Sequence, residues 1–502
     1  MERDTRDVVR GALTNFAGVL ARSLTVLFYV YLARAYGPVV TGAFVVCQAS
    51  LDIVGKLGLL GLDRGVLTVA ARHHAAGEEP VLHRTIAQAI AIAAAASLAL
   101  VAALEAVLAP AAGGLFRRPD LVPPLRIMAP GILFWSLSAV LIHATRALRV
   151  MKYEIAVKAG AEPAALFAAA LLLRPLLPGV EGLAWAFLAS TAAGTAAAAV
   201  LFARRFPLRS VARRLLEPEG RRELFRFSAP IGIYDLCNLL LQRVDLFLLN
   251  RFAPPAQVGV YSMAQNAAFS FKKVRQSFDP ILIPVLAAAD AGGRREELLR
   301  QYRTVTRWIL IINLGLLGAA ACAARLIMGI FGEPFTAGTA ALVVLTAAVM
   351  LNTVLGVSEL FILIERPLLN LANTLVALVV AAGAGLALVP RFGMLGAAAA
   401  SLLAYAVMNA LRLYLVWLRS RMHPFTRYHG RAVLAAAIAG ALAIGVRAAF
   451  PSPGGAAAAV AALASFLAAY AGGLLFLGLA EEERAAVRRL RSLLPAARRP
   501  AS

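Results

Sequence analysis

The chain has 502 residues, of which 61% are hydrophobic and only 15% are charged, and its mean hydropathy is +0.76. Soluble domains carry about a quarter charged residues, so this composition excludes an ordinary soluble domain and favours lipid as the solvent. The net charge of +23 would suggest nucleic acid in a soluble protein. Here the arginines fall between apolar runs, which indicates topology signals and no nucleic-acid binding.

Apolar runs long enough to cross a bilayer recur along the whole chain. A spanning helix needs about 20 apolar residues, and counting such runs predicts an all-α integral membrane protein with about 14 transmembrane helices. The predicted helices lie within 11–35, 38–62, 85–109, 125–146, 154–174, 182–203, 226–251, 256–282, 305–331, 336–364, 367–389, 393–418, 431–450 and 456–480. The first run is long enough to remain as a helix, so no cleaved signal peptide is expected.

Arginine-rich connections alternate with short turns that carry one or two arginines each. The rich segments are 204–225, 284–304 and the tail 481–502. Because Lys and Arg concentrate on the cytoplasmic side of inner-membrane proteins, we predict a multi-pass protein of the bacterial inner membrane with both termini in the cytoplasm. The stretch Val211–Leu224 is predicted to be an amphipathic helix on the inner leaflet.

Two stretches of the chain match at an offset of 217 residues. Residues 32–44 align without gaps on 249–261, and the matched pairs include Leu32/Leu249, Arg34/Arg251, Pro38/Pro255, Gly42/Gly259, Gln48/Gln265 and Lys56/Lys273. Six predicted helices separate the copies, so both copies have the same orientation, as in transporters built from parallel repeats around a substrate path.

The repeat divides the chain into two six-helix lobes related by a parallel pseudo-twofold axis. The predicted segments are an N-lobe over 1–203, a basic cytoplasmic linker over 204–225, a C-lobe over 226–418, a C-terminal helix pair over 431–480 and a basic cytoplasmic tail over 481–502.

Two windows carry a family resemblance. Residues 32–72 contain Gly37-Pro38, Gly42, Gly58, Gly61 and Arg64. The second window contains Gln242-Arg243-Val244-Asp245, Pro254-Pro255, Gly259-Val260-Tyr261-Ser262-Met263-Ala264 and Pro284. The first resembles the opening of the polysaccharide transporter (Wzx-like) branch of the multidrug/oligosaccharidyl-lipid/polysaccharide exporter superfamily, and the second is similar to that family's seventh and eighth helices.

This resemblance implies a V-shaped, two-lobed flippase. Such a protein moves an undecaprenyl-pyrophosphate-linked oligosaccharide from the cytoplasmic to the periplasmic leaflet by alternating access, for polysaccharide biosynthesis such as that of lipopolysaccharide O-antigen. The expected partners are the lipid-linked oligosaccharide, membrane lipids and other polysaccharide-assembly proteins.

Charged side chains inside the predicted helices are the candidate functional residues. Each costs at least about 2.5–3.5 kcal/mol on insertion scales, so it should face a cavity or a partner. The candidates for a cationic, pyrophosphate-binding cavity are Arg22, Lys56, Lys272, Lys273 and Arg275. The candidates for a polar cavity or for H⁺ or Na⁺ coupling are Gln48, Asp52, Asp235, Gln242, Asp245, Gln265 and Glu359.

Spacing supports part of this set, and a purely structural alternative stays open. Gln48, Asp52 and Lys56 follow one another at i, i+4 and i+8, on one face of the second helix. The alternative is pairing within the membrane, for example of Asp52 with Lys56 and of Arg243 with Asp245. No cofactor or metal site is predicted, and no Walker A loop is present in the sequence.

Three other functions compete with the oligosaccharide flippase. A lipid II flippase and a multidrug or cation antiporter of the same superfamily would share the fold, and an antiporter would have a mostly acidic cavity. A membrane-embedded polysaccharide polymerase or ligase is less favoured, because such enzymes place acid and base groups on a sizeable outer loop, whereas the outer connections here are short. We therefore expect a transporter and not an enzyme.

Overall fold

The computed structural model describes the backbone of residues 2–108, 118–215, 217–276, 295–359, 362, 367–452 and 454–477. Within these ranges the side chains of residues 2–23, 107–108, 273–276, 295 and 367 are not described. Every regular element in the described part of the chain is a helix, and no strand occurs there. The all-α prediction is confirmed.

The helices fall into two compact units. The first consists of residues 1–263 and 385–397, and the second of 264–384 and 398–502. The helices that begin in the first unit are α1 (Glu2–Leu59), α2 (Leu62–Ala75), α3 (Glu79–Ala103), α4 (Val122–Met128), α5 (Gly131–Ala147), α6 (Lys152–Glu154), α7 (Glu162–Leu173), α8 (Val180–Ala203), α9 (Leu208–Arg213), α10 (Arg221–Leu241), α11 (Val244–Phe252) and α12 (Pro255–Gln276). Those that begin in the second are α13 (Arg295–Gly329), α14 (Thr339–Leu355), α15 (Pro367–Ser420), α16 (Arg427–Ala448) and α17 (Ala456–Leu477).

Short irregular helices complete these elements. π-helical segments follow α3 and join α6 to α7, and 3₁₀ turns precede α4 and α14; their bounds are Leu104–Leu108, Ile155–Ala161, Pro119–Leu121 and Glu333–Gly338. The division of the chain into the lobes 1–203 and 226–418 stays a prediction.

Among the described residues, ten helices are long and apolar enough to cross a membrane, or up to eleven when the bent pair α4–α5 is included. Two of the ten, Leu24–Ala75 and Leu368–Ser420, have 52 and 53 residues, whereas one crossing takes about 20. Each contains a glycine with non-helical backbone, Gly37 or Gly393. These breaks coincide with predicted helix boundaries, but the count of fourteen stays a prediction.

Two predicted helices are wrong in their extent. The seventh, predicted as continuous over 226–251, is divided into α10 and α11 at residues 242–243. The amphipathic helix predicted over Val211–Leu224 does not form, because α9 ends at Arg213 and α10 begins at Arg221. Pro218 interrupts helical hydrogen bonding in that stretch, and Gly220 takes a left-handed backbone with φ of 85°.

Small residues bring the helices of each unit together. In the first unit, α2, α3 and α5 share a core whose small residues include Ala70, Ala89 and Ala144. In the second, α16 and α17 pack through a cluster whose members are Ala435, Ala439, Ala443, Ala462, Phe466 and Tyr470. Alanine allows the backbones of membrane helices to approach closely, which replaces the hydrophobic driving force that lipid removes.

The C-terminal helix pair is attached to α13 by specific contacts. The Tyr470 hydroxyl donates to the carbonyl oxygen of Ile311 at 2.8 Å. A Cβ atom at Gly318 would collide with the Phe466 ring. Glycine at this position therefore lets the aromatic face of α17 lie directly on the backbone of α13.

Two glycines matched by the internal repeat lie against each other in the first unit. A Cβ atom at Gly42 would lie 2.7 Å from the amide nitrogen of Gly259 and 2.9 Å from the carbonyl oxygen of Pro255. A Cβ atom at Gly259 would collide with the carbonyl oxygen of Pro38. The contact is reciprocal, since the glycine of each copy meets the proline of the other, and a twofold relation between two segments requires this reciprocity.

We expect Gly259→Ala to lower the thermal stability of the purified protein in detergent. The atoms that a Cβ at Gly259 would meet belong to the backbone of Pro38 and cannot rotate away. Overpacking of this kind costs about 1–3 kcal/mol. The matched control is Gly440→Ala in α16, where a Cβ atom would meet nothing within 4 Å. Equal melting temperatures for the two variants would contradict the close approach of these segments.

Candidate functional site

The predicted polar stripe Gln48, Asp52 and Lys56 lies in the C-terminal part of α1, and its charged residues form ion pairs within the first unit. Lys56 Nζ lies 2.7 Å from Asp63 Oδ2 and 3.0 Å from Asp235 Oδ2. Asp235 Oδ1 also lies 3.2 Å from Arg64 Nη2. The Lys56 ammonium thus joins a carboxylate of α2 to a carboxylate of α10, and Arg64 also pairs with the carboxylate of α10, that of Asp235. The cluster contains two positive and two negative charges.

A second pair lies one helical turn away from Lys56. Asp52 Oδ2 lies 3.5 Å from Arg243 Nη2. The Tyr29 hydroxyl donates to Gln48 Oε1 at 3.2 Å. Each of the three residues in the predicted stripe therefore has a partner on another helix or on the preceding segment of α1. The pairing of Asp52 with Lys56, suggested by the sequence as a structural alternative, is wrong. Lys56 pairs with Asp235 of α10, and Asp52 pairs with Arg243, which lies between α10 and α11.

The turn between α1 and α2 places Lys56 and Asp63 next to each other. Lys56 lies in the last turn of α1 and Asp63 in the first turn of α2. Helix dipoles favour a cation at the first position and an anion at the second. The helical backbone is interrupted between them at Leu60 and Gly61, whose φ values are 50° and 75°. Glycine adopts this conformation without steric cost.

Glycine contacts bring α10 close enough for Asp235 to reach Lys56. A Cβ atom at Gly61 would lie 2.5 Å from the amide nitrogen of Gly232, and one at Gly232 would lie 2.7 Å from that of Gly61. Asp235 follows Gly232 by three residues and so projects from nearly the same face of the helix. Because glycine carries no side chain at these two positions, α10 approaches closely enough for Asp235 to pair with Lys56.

The break between α10 and α11 positions Arg243. Gln242 Nε2 donates to the carbonyl oxygen of Asn238 at 3.0 Å, and the side chain of this predicted cavity residue thus satisfies the end of α10. Arg243 then takes the non-helical position before α11. Arg243 and Asp245 are two positions apart, and side chains at i and i+2 do not face each other on a helix, so the two residues find different partners.

Asp245 has a different environment from Asp52. It is only 4% exposed, accepts a hydrogen bond from the Tyr261 hydroxyl at 2.5 Å and accepts another from the amide of Leu246 at 2.7 Å. Among the described side chains, Arg243 forms its ion pair with Asp52 and not with Asp245. The second example of intramembrane pairing is therefore also wrong.

A further charged pair lies inside the first unit on the π-helical segment Ile155–Ala161. Lys158 Nζ lies 2.6 Å from Glu162 Oε1 and 5.8 Å from the centroid of the Trp135 ring. Ser138 Oγ also donates to Glu162 Oε1 at 3.3 Å. π-helical turns occur frequently at functional sites. The sequence marks both residues as charges in an apolar run but carries no signal of the π-helix.

Glu359 lies in the second unit, against a buried arginine. Arg412 is 1% exposed, and its Nη1 lies 3.3 Å from Glu359 Oε2. Asn370 joins both residues, since its Nδ2 donates to Glu359 at 3.5 Å and its Oδ1 accepts from Arg412 at 3.3 Å. The sequence marks both Glu359 and Arg412 as charges in apolar runs but does not show that they pair, because they lie 53 positions apart in the chain.

The remaining predicted residues divide between the second unit and the undescribed side chains. Gln265 is 2% exposed, and Lys272 is half-buried. The side chains of Arg22, Lys273 and Arg275 lie outside the described residues. No group of three or more His, Cys, Asp or Glu residues that could hold a metal ion occurs in the described part of the chain.

Comparison with known families identifies the chain. A family model described as polysaccharide biosynthesis protein matches residues 8–288, which is more than half of the sequence. The chain belongs to this family. The matched region contains the whole ion-pair cluster of Lys56, Asp63, Arg64 and Asp235. No curated protein sequence matches the chain significantly.

Solved structures of transporters share the fold of this polysaccharide biosynthesis protein. The lipid II flippase MurJ in an inward closed conformation matches with a TM-score of 0.72 and 12% identity, over 96% of this chain and all of that one. An inward-facing multidrug resistance MATE transporter of the MOP superfamily matches with a TM-score of 0.65 and 16% identity, over 80% of this chain and 94% of that one.

A third structure is a MOP superfamily transporter from Pyrococcus furiosus, whose binding pocket is described as having reverse polarity. It has a TM-score of 0.59 and 17% identity, over 82% of this chain and 95% of that one. At these identities the likeness shows the fold alone. The chain is thus a member of the polysaccharide biosynthesis family, as the sequence predicts, and its fold is shared with a lipid II flippase and with MATE transporters of the MOP superfamily.

We expect Lys56→Met to destabilise the protein much more than Arg64→Met. Lys56 is 15% exposed, and its removal leaves Asp63 and Asp235, each 10% exposed, without their shared cation. Loss of one partner from a buried pair costs about 3–5 kcal/mol. Arg64 is 56% exposed, and exposed pairs are worth less than about 1 kcal/mol. Thermal unfolding in detergent measures both effects.

The combined variant Lys56→Met/Asp63→Asn/Asp235→Asn separates charge from packing. It removes the two carboxylates together with their cation, and we expect it to recover most of the stability that Lys56→Met loses. If the triple variant melts no higher than Lys56→Met, the stability lost in Lys56→Met does not come from the two unpaired carboxylates.

Proposed function

We propose that the chain is a flippase that moves a lipid-linked oligosaccharide, carried on undecaprenyl pyrophosphate, from the cytoplasmic to the periplasmic leaflet of the bacterial inner membrane. Membership of the polysaccharide biosynthesis family and a fold shared with a lipid II flippase support this proposal. The cytoplasmic position of both termini is part of it and rests on the arginine asymmetry of the sequence.

The charged cluster around Lys56 is the observation that carries the proposal. Lys56, Asp63 and Arg64 belong to the candidate span Leu24–Ala75, and Asp235 belongs to the span Arg221–Leu241. A helix that only packs against lipid or other helices needs no charge, and each charge is costly there. Water or a polar cargo must reach this cluster at some stage for the charges to be useful.

In this proposal, cargo binding and helix movement are coupled because the cargo phosphate replaces a carboxylate as the partner of the cluster's cations. With its internal carboxylates in place, the cluster is neutral and stable without cargo. A pyrophosphate binds guanidinium and ammonium groups through charge-assisted hydrogen bonds, so it would compete with Asp235 for Arg64 and Lys56. Release of Asp235 would free α10 from α2. Cargo binding would thereby favour a conformation in which these helices separate, as population shift by differential binding requires.

The cationic residues of the cluster differ in how accessible their charges are to an anionic cargo. The sequence predicts Lys56 as a cargo-binding cation, but the carboxylates of Asp63 and Asp235 neutralise its charge. Arg64 is the more accessible cation, with its side chain 56% exposed. The roles of Arg22, Lys272, Lys273 and Arg275 in the cavity stay predictions, as does H⁺ or Na⁺ coupling through Asp235, Asp245 or Glu359.

A lipid II flippase is the second candidate function. The MurJ structure covers 96% of this chain, a larger share than the MATE transporters cover. Both candidates move a lipid-linked sugar, and they differ in the glycan. Deletion of the gene in the native host, followed by identification of the lipid-linked intermediate that accumulates, distinguishes them: an oligosaccharide intermediate supports the first proposal and lipid II supports the second.

We expect Arg64→Gln to slow translocation of the lipid-linked oligosaccharide in proteoliposomes by about tenfold or more while leaving the melting temperature nearly unchanged. A charge-assisted hydrogen bond to phosphate is worth about 1.5–3 kcal/mol, and the pairing of Arg64 with Asp235 is too exposed to affect folding strongly. Arg209→Gln, an exposed arginine of the linker, is the matched control. Unchanged translocation by Arg64→Gln would contradict the partner-exchange mechanism.

The double variant Lys56→Ala/Lys273→Ala tests the wider hypothesis of a cationic cavity. We expect it to abolish glycan export in the native host, because it removes matched lysines from both copies of the repeat. Immunodetection of the variant in the membrane fraction provides the control for expression. Normal export by a normally expressed variant would rule out a cationic cavity formed by these residues.

A further inference from the structure

Three arginines surround one tyrosine ring in the second unit. The guanidinium carbons of Arg307, Arg427 and Arg431 lie 5.4, 5.2 and 5.3 Å from the centroid of the Tyr428 ring. Arg307 comes from α13, and the other three residues come from the first turns of α16. The two helices therefore contribute three positive charges to a single aromatic group.

Further contacts join these two helices and add a fourth cation. Arg303, one turn before Arg307 on α13, donates from Nε to the carbonyl oxygen of His423 at 3.3 Å. The resulting cluster, Arg303, Arg307, Arg427, Arg431 and Tyr428, is named the arginine–tyrosine cluster. His423 precedes α16 by only a few residues, so this bond fixes the start of α16 against α13.

The arginine–tyrosine cluster has an excess of positive charge. Among the described residues no carboxylate forms an ion pair with Arg303, Arg427 or Arg431, and the nearby Glu297 is taken by Arg300 at 2.6 Å. A tyrosine ring attracts a cation only weakly, and it cannot balance the repulsion among several neighbouring guanidinium groups. An anion would stabilise this arrangement.

A buried imidazole beside the cluster also lacks an acceptor. His429 is 4% exposed, and its Nδ1 accepts a hydrogen bond from the amide of Thr426 at 3.1 Å. The neutral ring therefore carries its proton on Nε2, and Nε2 has no hydrogen-bond partner among the described atoms. The charges of Arg307 and Arg303 act on this ring. Unpaired buried donors of this kind are rare, and a bound acceptor would explain this one.

The surroundings of the arginine–tyrosine cluster fit a lipid. Phe425, Val433 and Leu434 are 47%, 49% and 50% exposed, so apolar side chains suited to acyl chains flank the cationic group. In the predicted orientation, the beginnings of α13 and α16 lie at the cytoplasmic surface. Anionic phospholipids are enriched there, and basic pockets between membrane helices on that side bind their headgroups.

We propose that the arginine–tyrosine cluster is a binding site for the phosphate headgroup of an anionic phospholipid of the cytoplasmic leaflet. The phosphate oxygens accept hydrogen bonds from the guanidinium groups, and the acyl chains lie along the exposed apolar face of α16. Occupancy holds the C-terminal helix pair against α13. The site does not depend on the identity of the cargo.

The test uses the full-length protein reconstituted in phosphatidylcholine vesicles with increasing fractions of cardiolipin, with the melting temperature as readout. We expect cardiolipin to raise the melting temperature of the unaltered protein. The variant R427Q/R431Q should need about tenfold more cardiolipin for half of that increase, since two charge-assisted contacts are lost. The matched control R209Q/R213Q removes the same charge from exposed arginines of the linker and should behave like the unaltered protein.

Four outcomes would overturn the proposal. An undiminished response of R427Q/R431Q, or an equal loss in R209Q/R213Q, would show that cardiolipin acts through general surface charge. The same stabilisation by inorganic pyrophosphate in phosphatidylcholine vesicles would indicate a site for a soluble anion. Coupling in a double-mutant cycle between R427Q/R431Q and E481Q/E482Q/E483Q in uncharged vesicles would assign the cluster to the acidic start of the tail.

Discussion

The pairing of Lys56 with Asp63 and Asp235 is the constraint on which the first unit depends. Charges in an apolar span must be neutralised by a partner, and the partner must be brought within about 3 Å. Here a break in the helix at Gly61 and a backbone contact between Gly61 and Gly232 provide that distance. The ion pair and the glycine contact therefore support each other, since neither is useful without the approach of α2 to α10.

This arrangement combines stability with the capacity to change. The charges of the cluster cancel, so the protein can remain in the membrane without cargo, while the exposed Arg64 gives an anion a point of entry. Asp52, one turn before Lys56 on α1, forms a longer ion pair with Arg243 at 3.5 Å. A set of paired charges that an anionic cargo can replace is a physical basis for coupling binding to helix movement.

In the second unit, a neutral amide side chain takes part in the pairing of the buried charges. The charged residues Arg412 and Glu359 are bridged by Asn370, and Arg412 is almost completely buried. Replacement of a buried guanidinium is strongly destabilising because the remaining carboxylate loses its partner. Near the start of α16, by contrast, the guanidinium groups of Arg427 and Arg431 have no described carboxylate. Their charge is available to a ligand, and we assign it to a lipid headgroup.

The sequence by itself determined the membrane class, the helical fold and several helix breaks. Hydrocarbon leaves only helices or closed barrels able to satisfy the backbone, and glycine beside proline at positions 37–38 marks a boundary that needs no tertiary information. Only the tertiary structure decided the partners. Asp52 and Lys56 are spaced for a local pair, yet each pairs with a residue some 180 to 190 positions away. That choice depends on how closely α10 approaches α1 and α2, which the glycine contacts set and the spacing of charges in the sequence does not reveal.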